Sequence, residues 1–164
     1  MKERWLNITK LLGSIIICQF VGLTGSVFTN PGSLGWYDDL FKPEFTPPNW
    51  VFAPVWIILY TLMGISLYLV WSRGLKRPMV RYALSFFGVQ LGLNLLWIII
   101  FFGLHFITGG LIVIVFLWMA IFSTIFMFSL ISKNATLLLI PYIIWISYAA
   151  YLNFEIWRLN VWEY

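Results

Sequence analysis

Charge is scarce in this chain, and the places it avoids are informative. Asp, Glu, Lys and Arg make up only 10% of residues against 62% hydrophobic ones, and mean hydropathy is +0.91. Too little polar surface remains to cover a water-soluble globule, so the chain reads as a membrane protein. Its one cysteine, Cys18, excludes an intrachain disulfide and a cysteine metal cluster. Its one histidine, His105, has no second histidine or cysteine beside it, which argues against a metal centre or a two-ligand haem site and leaves it as a polar loop residue near the interface. No serine shares a helix or motif with that histidine, so a nucleophilic triad is unsupported. No metal and no resident cofactor are expected. Coupled transporters usually carry an ionisable residue in the middle of a span. None occurs here, which disfavours proton- or ion-coupled transport.

What the chain has instead is five charge-free apolar stretches, at Leu11–Phe28, Trp50–Ser72, Tyr82–Leu104, Phe106–Ser132 and Asn134–Phe154. Each is long enough to cross a hydrocarbon core about 30 Å thick at roughly 1.5 Å per helical residue. The expected fold is all-α, a single-domain bundle of five transmembrane helices over 1–164. The spans are placed at about 6–28, 47–72, 79–104, 106–132 and 134–157, with an extracytoplasmic lid loop at 29–46. Short later loops imply that consecutive helices are antiparallel neighbours. The first stretch follows Lys2, Arg4 and Lys10 as a signal peptide would. It contains Gln19, Gly22 and Gly25 without a convincing cleavage site, so it is read as the first helix.

Odd-numbered spans put the termini on opposite sides. Lys2, Arg4, Lys10, Arg73, Lys76, Arg77, Arg81 and Lys133 fall on the N-terminal side, whereas Lys42 and Arg158 fall opposite with Asp38, Asp39, Glu44, Glu155 and Glu163. The positive-inside rule sets the N-terminus in the cytoplasm. The net charge of +4 is therefore assigned to topology and anionic lipid, and no nucleic-acid partner is expected.

The segment Trp36–Trp56 concentrates aromatics, prolines and three acids ahead of the second span. Asn30-Pro31-Gly32 predicts a turn at the start of the long loop. Thr46 is a candidate cap, with Pro47 and Pro48 in first-turn positions where a missing N–H costs nothing. Pro54 and Pro141 fall inside spans and free the carbonyls of Trp50 and Leu137. Gly22, Gly25 and Ser26 allow close approach of a neighbouring helix. The acids read as solvated topology markers.

The polar groups left inside the spans are uncharged. Gln90, Asn94 and Trp97 follow helical spacing, as do Trp145, Ala149 and Asn153, and Ala53, Trp56 and Tyr60. Amides in a bilayer must be hydrogen-bonded, so Gln90, Asn94 and Asn153 are expected to face the bundle interior, either as interhelical glue or as part of a cavity for a large, flat, mostly apolar molecule. Trp5, Trp71, Trp157 and Trp162 sit near span ends and read as interfacial anchors. Trp36 and Trp50 lie at similar depth and are kept as ligand candidates, while Trp56, Trp97 and Trp145 lie deeper.

Trp36-Tyr37, Lys42-Pro43, Pro47-Pro48, Trp50 and Pro54-Val55-Trp56 resemble the signature of the tryptophan-rich sensory protein family, which includes the translocator protein or peripheral benzodiazepine receptor. Gln90-Leu91-Gly92-Leu93-Asn94 with Trp97, then Phe101-Phe102-Gly103, resembles its third helix, and Pro141-Tyr142 with Trp145, Ala149 and Leu152-Asn153 its fifth. The resemblance implies a homodimer with a pocket capped by the first loop. It implies porphyrin ligands such as protoporphyrin IX, sterols in animal members, and isoquinoline carboxamide or benzodiazepine drugs. The implied pocket comprises Phe52, Ala53, Trp56, Asn94, Trp97, Trp145, Ala149 and Leu152. It also implies light-dependent porphyrin degradation, with Trp56 and Trp145 as the residues involved. Two departures stand out. The fourth span has no acid, and the segment Leu152–Trp157 before Arg158 lacks the tyrosine of the sterol motif.

The leading expectation is a membrane receptor binding tetrapyrroles within the lipid bilayer, in the outer half of the bundle between the first, second, third and fifth helices. A passive porphyrin, lipid or sterol translocator and a ligand-responsive sensor are the alternatives. The expected location is a bacterial plasma membrane, with the mitochondrial outer membrane as the alternative.

Overall fold

A computed structural model describes residues 2–29 and 31–162, with side chains over 7–29 and 35–161. It contains α1 (Lys2–Phe28), a short α2 (Pro31–Asp39), α3 (Asn49–Trp71), α4 (Pro78–Ile98), α5 (Ile107–Ser129) and α6 (Lys133–Trp157). A π-type turn, Ile99–Gly103, continues α4, and a second, Arg158–Trp162, continues α6. No strand occurs among the described residues, so the fold is all-α. Five helices are long and apolar enough to span a membrane: Asn7–Phe28, Asn49–Trp71, Pro78–Gly103, Ile107–Ser129 and Lys133–Val161. Their outward residues, among them Ile16, Phe20, Phe116 and Ile144, are large, apolar and exposed, as a lipid-facing surface requires.

The helices close into a ring in the order α1, α3, α6, α5, α4. Consecutive spans are neighbours, as expected, for α1 and α3, α4 and α5, and α5 and α6; the exception is α3 and α4, which follow one another in the chain yet touch only lightly. Small residues on α1 let it wedge between them. A Cβ on Gly22 would lie 2.6 Å from the Tyr60 ring of α3, and one on Gly25 would lie 2.6 Å from Ile98 of α4. Further from the lid, a Cβ on Gly64 would meet the Ile15 backbone at 2.6 Å, so α1 and α3 are closest there.

The region before α3 differs from its predicted form in three ways. Pro31 does not belong to a turn but opens α2, where its fixed φ suits the first helical position; Asn30 lies outside the described residues. Thr46 does not cap α3: its hydroxyl donates to the Pro43 carbonyl at 2.7 Å, closing a turn. Pro47 and Pro48 precede the helix rather than enter it. Pro48 restricts Pro47 to extended backbone and is itself extended (ψ 144°), so α3 starts at Asn49. At the other end of the chain, Ser132 caps α6 by accepting from the Ala135 amide at 3.4 Å.

Candidate ligand cavity

The lid is fixed by aromatic packing. Trp36 on α2 stacks on His105 at 4.4 Å with planes 13° apart, and meets Phe101 edge-on at 5.7 Å. Tyr37, next along α2, is buried against Phe101 and Phe102 of the π-type turn. His105 takes a left-handed backbone (φ 54°), which presents its ring to Trp36. The histidine expected to be a plain loop residue is thus a plate under the lid.

The chain between α2 and α3 is tied down at several points. The Phe41 amide donates to Asn160 Oδ1 at 3.0 Å, and Asn160 Nδ2 donates back to the Phe41 carbonyl at 2.8 Å. The Tyr148 hydroxyl donates to the Phe45 carbonyl at 2.8 Å. Asp38 accepts from Asn49 Nδ2 at 3.0 Å and from Lys42 Nζ at 3.4 Å. The Asn49 bond, with Lys42 behind it, holds the Asp38 carboxyl below the usual carboxylate range. This acid is a clasp between α2 and α3, and not only a solvated marker of topology. Burial pushes the Tyr37 phenol above its ordinary range, so it stays neutral.

Under α2 lies a cavity of about 320 Å³. From α3 it takes Phe52, Ala53, Trp56, Ile57 and Tyr60, with Asn49 at the rim. α4 and its π-type turn add Trp97, Ile98 and Phe102, and Tyr37 forms the roof. The fourth wall is α1, through Gln19, Gly22, Leu23, Ser26 and Thr29. Leu23 and Ile57 are exposed, so the space opens between α1 and α3. Below that opening, Gln19 Nε2 donates to the Ile57 carbonyl at 3.0 Å and to Thr61 Oγ1 at 2.9 Å. Trp56 is the centre of an aromatic cluster, with Tyr60 stacked at 5.3 Å, Trp97 at 6.3 Å and Tyr142 at 6.4 Å.

Behind this wall runs a buried polar chain across three helices. The Tyr60 hydroxyl donates to Asn94 Oδ1 at 2.5 Å, Asn94 Nδ2 donates to the Tyr142 hydroxyl at 3.1 Å, and that hydroxyl donates to Gln90 Oε1 at 3.0 Å. Trp97 Nε1 donates to Asn153 Oδ1 at 3.4 Å, and Asn153 Nδ2 to the Ala149 carbonyl at 3.2 Å.

A sequence profile of the TspO/MBR family matches residues 14–158. The chain belongs to that family. Among its relatives, the tryptophan-rich protein TspO of Archaeoglobus fulgidus is 46% identical over 155 residues, 94% of this chain and 99% of the relative. Protein CrtK of Rhodobacter capsulatus is 40% identical over 155 residues, 94% of this chain and 95% of its own. The translocator protein of Homo sapiens is 37% identical over 138 residues, covering 83% and 81%.

In this TspO/MBR chain the predicted residues divide by position. Phe52, Ala53, Trp56, Tyr60 and Trp97 line the cavity together. Gln90, Asn94 and Asn153 face the interior and join helices behind the lining, beside buried Ala149 and Leu152. Trp145 also stands outside the lining, edge-on to Phe52 at 5.9 Å. Trp36 supports the lid, and Trp50 is 73% exposed and outside the lining. The sequence-based expectation includes the first helix as a wall but names none of its residues as candidates, and the fifth spanning helix, α6, also expected as a wall, contributes none of the lining. The signal for the α1 wall lies in Gln19, Gly22, Leu23 and Ser26, whose spacing places them on one helical face.

Proposed function

We propose that this TspO/MBR family member is a membrane receptor for a flat, largely apolar tetrapyrrole of the protoporphyrin IX kind, held under α2. The observation that carries this reading is Trp56, which lines the cavity at the centre of an aromatic cluster. Large aromatic walls with a few uncharged polar groups at the rim suit such a ligand, with Ser26, Thr29 and Asn49 available to its polar edge. At about 320 Å³ the cavity is smaller than the macrocycle, so the ring extends past Leu23 and Ile57 toward lipid. Tryptophan quenching on titration with protoporphyrin IX in the dark tests the reading. Trp56→Ala is expected to weaken binding by at least about tenfold, which corresponds to roughly 1.4 kcal/mol. Saturable binding unchanged by that substitution overturns it.

A second reading, light-dependent oxidation of the bound ring, is favoured by the same cluster. Dissolved dioxygen is the oxidant: Trp56 gives an electron to the photoexcited ring, and the ring passes it to dioxygen as superoxide. Superoxide adds to the ring while one electron returns to the Trp56 radical cation, whose deficit Trp97 and Tyr60 share meanwhile through ring contact. Because Trp145 is set behind Phe52, Trp56→Phe is expected to slow light-driven loss of the porphyrin absorption band more than Trp145→Phe does. Equal bleaching by wild type and Trp56→Phe removes this reading and leaves the receptor intact.

A further inference from the structure

The two ends of the bundle treat their cations differently. At the lid end, Lys42 pairs with Asp38 at 3.4 Å and Arg158 with Glu155 at 2.8 Å. At the opposite end stand Arg73, Lys76, Arg77, Arg81 and Lys133, and none of them forms an ion pair among the described residues. Arg73, Lys76, Arg77 and Arg81 are exposed, and Lys133 lies at the start of α6. The acids whose side chains are described, Asp38, Asp39, Glu44 and Glu155, all lie at the lid end, so no described side chain offers these cations a carboxylate nearby.

The segment carrying most of this charge is ordered. Gly74 takes a left-handed backbone (φ 99°), and the chain from Val70 to Arg81 closes through successive turn bonds. These include Gly74 to Trp71 at 3.1 Å and Arg77 to Gly74 at 3.2 Å. No side chain caps α4, whose first residue is Pro78, and Arg77 and Arg81 lie one turn apart beside that uncapped start. Leu75, Met79 and Tyr82 are exposed among the cations. Cations interleaved with exposed apolar side chains suit the boundary between headgroup and acyl chain, where basic residues are attracted to an anionic surface.

We propose that the α3–α4 turn, with Lys133 at the start of α6, is a docking surface for anionic phospholipids of the phosphatidylglycerol type. The headgroup phosphate is held by Arg73, Arg77 and Arg81, while Leu75 and Met79 enter the acyl boundary. The surface lies at the far end of the bundle from the cavity and does not depend on what the cavity holds.

The test uses the full chain reconstituted in phosphatidylcholine membranes with trace spin-labelled phosphatidylglycerol or phosphatidylcholine, measuring the motionally restricted fraction of each. Wild type is expected to prefer the anionic lipid at least about threefold at low salt. That preference should fall toward unity in about 1 M salt and in Arg73→Gln/Lys76→Gln/Arg77→Gln/Arg81→Gln. The single variants Arg77→Gln and Lys133→Gln, which guard against a misfolded quadruple variant, should each lower it partially. Lys42→Gln/Arg158→Gln should keep it. Absence of preference in wild type overturns the proposal, as does a preference that survives the quadruple variant or is lost equally in the lid-end variant.

Discussion

The Tyr60 ring lines the cavity while its hydroxyl donates to Asn94, so a displacement of the ring also breaks a buried hydrogen bond. Gly22→Ala sets a methyl 2.6 Å from that ring. The ring has to move, and the expected result is a loss of about 1–2 kcal/mol in reversible unfolding in mixed detergent, together with weaker ligand binding. Asn94→Leu acts on the same chain without touching the lining. It leaves the Tyr60 and Tyr142 hydroxyls without their shared partner, and both residues are buried away from water. A membrane hydrogen bond averages only about 0.6 kcal/mol, but Tyr142 keeps its bond to Gln90 while the Tyr60 hydroxyl is stranded, which raises the expected loss to roughly 1–3 kcal/mol in the same unfolding measurement. Ligand affinity should fall less in Asn94→Leu than in Trp56→Ala.

At the level of elements, α2 rests on three kinds of anchor: rings from the π-type turn, the Phe41–Asn160 pair and the Asp38 clasp. The clasp makes the lid sensitive to acid. Asp38 is stabilised as the carboxylate, so its contribution is complete above the ordinary aspartate range near 4 and is lost as pH falls through its own lower value. Amide exchange of α2 should therefore be slower in wild type than in Asp38→Asn at neutral pH. The difference should vanish toward pH of about 2, and a difference independent of pH counts against the clasp. Little of α2 is legible in the sequence, because a stretch beginning Pro31-Gly32 with Gly35 further on carries turn chemistry. Its helix is fixed by docking onto Phe101, Phe102 and His105, contacts distant in sequence. The spans themselves are legible from apolar length, and the inward amides from the cost of burying them. The α3 wall is implied by the spacing of Ala53, Trp56 and Tyr60. The first helix is expected beside the ligand, but which of its residues form the wall is not legible, since Gly22 and Ser26 look the same whether a helix packs on them or a space opens there.

For the whole molecule, charge asymmetry sets an orientation that can be checked on intact cells. Cys18 is fully buried and should resist membrane-impermeant maleimide. In a Cys18→Ser background, Glu44→Cys should label from outside and Lys76→Cys only after the membrane is permeabilised, and the reverse pattern inverts the topology. Packing of the bundle rests on one contact that cannot yield. Gly64 faces the Ile15 backbone, so Gly64→Val should separate α1 from α3 and lower the thermal midpoint by several degrees, a larger effect than Gly22→Ala, where only a side chain must move. Finally, the π-type turn at Ile99–Gly103 amounts to one extra residue threaded into the end of α4. Removing one residue there would restore the ordinary winding and change which side chains the turn itself presents to α2. Phe101 and Phe102 would lose their places against Trp36 and Tyr37, while α1, α3 and α6 kept every side chain. Chain length at this point, as well as the aromatic residues it carries, therefore seats the lid, and deleting Ile99 or Ile100 alone should undock it as Trp36→Ala does.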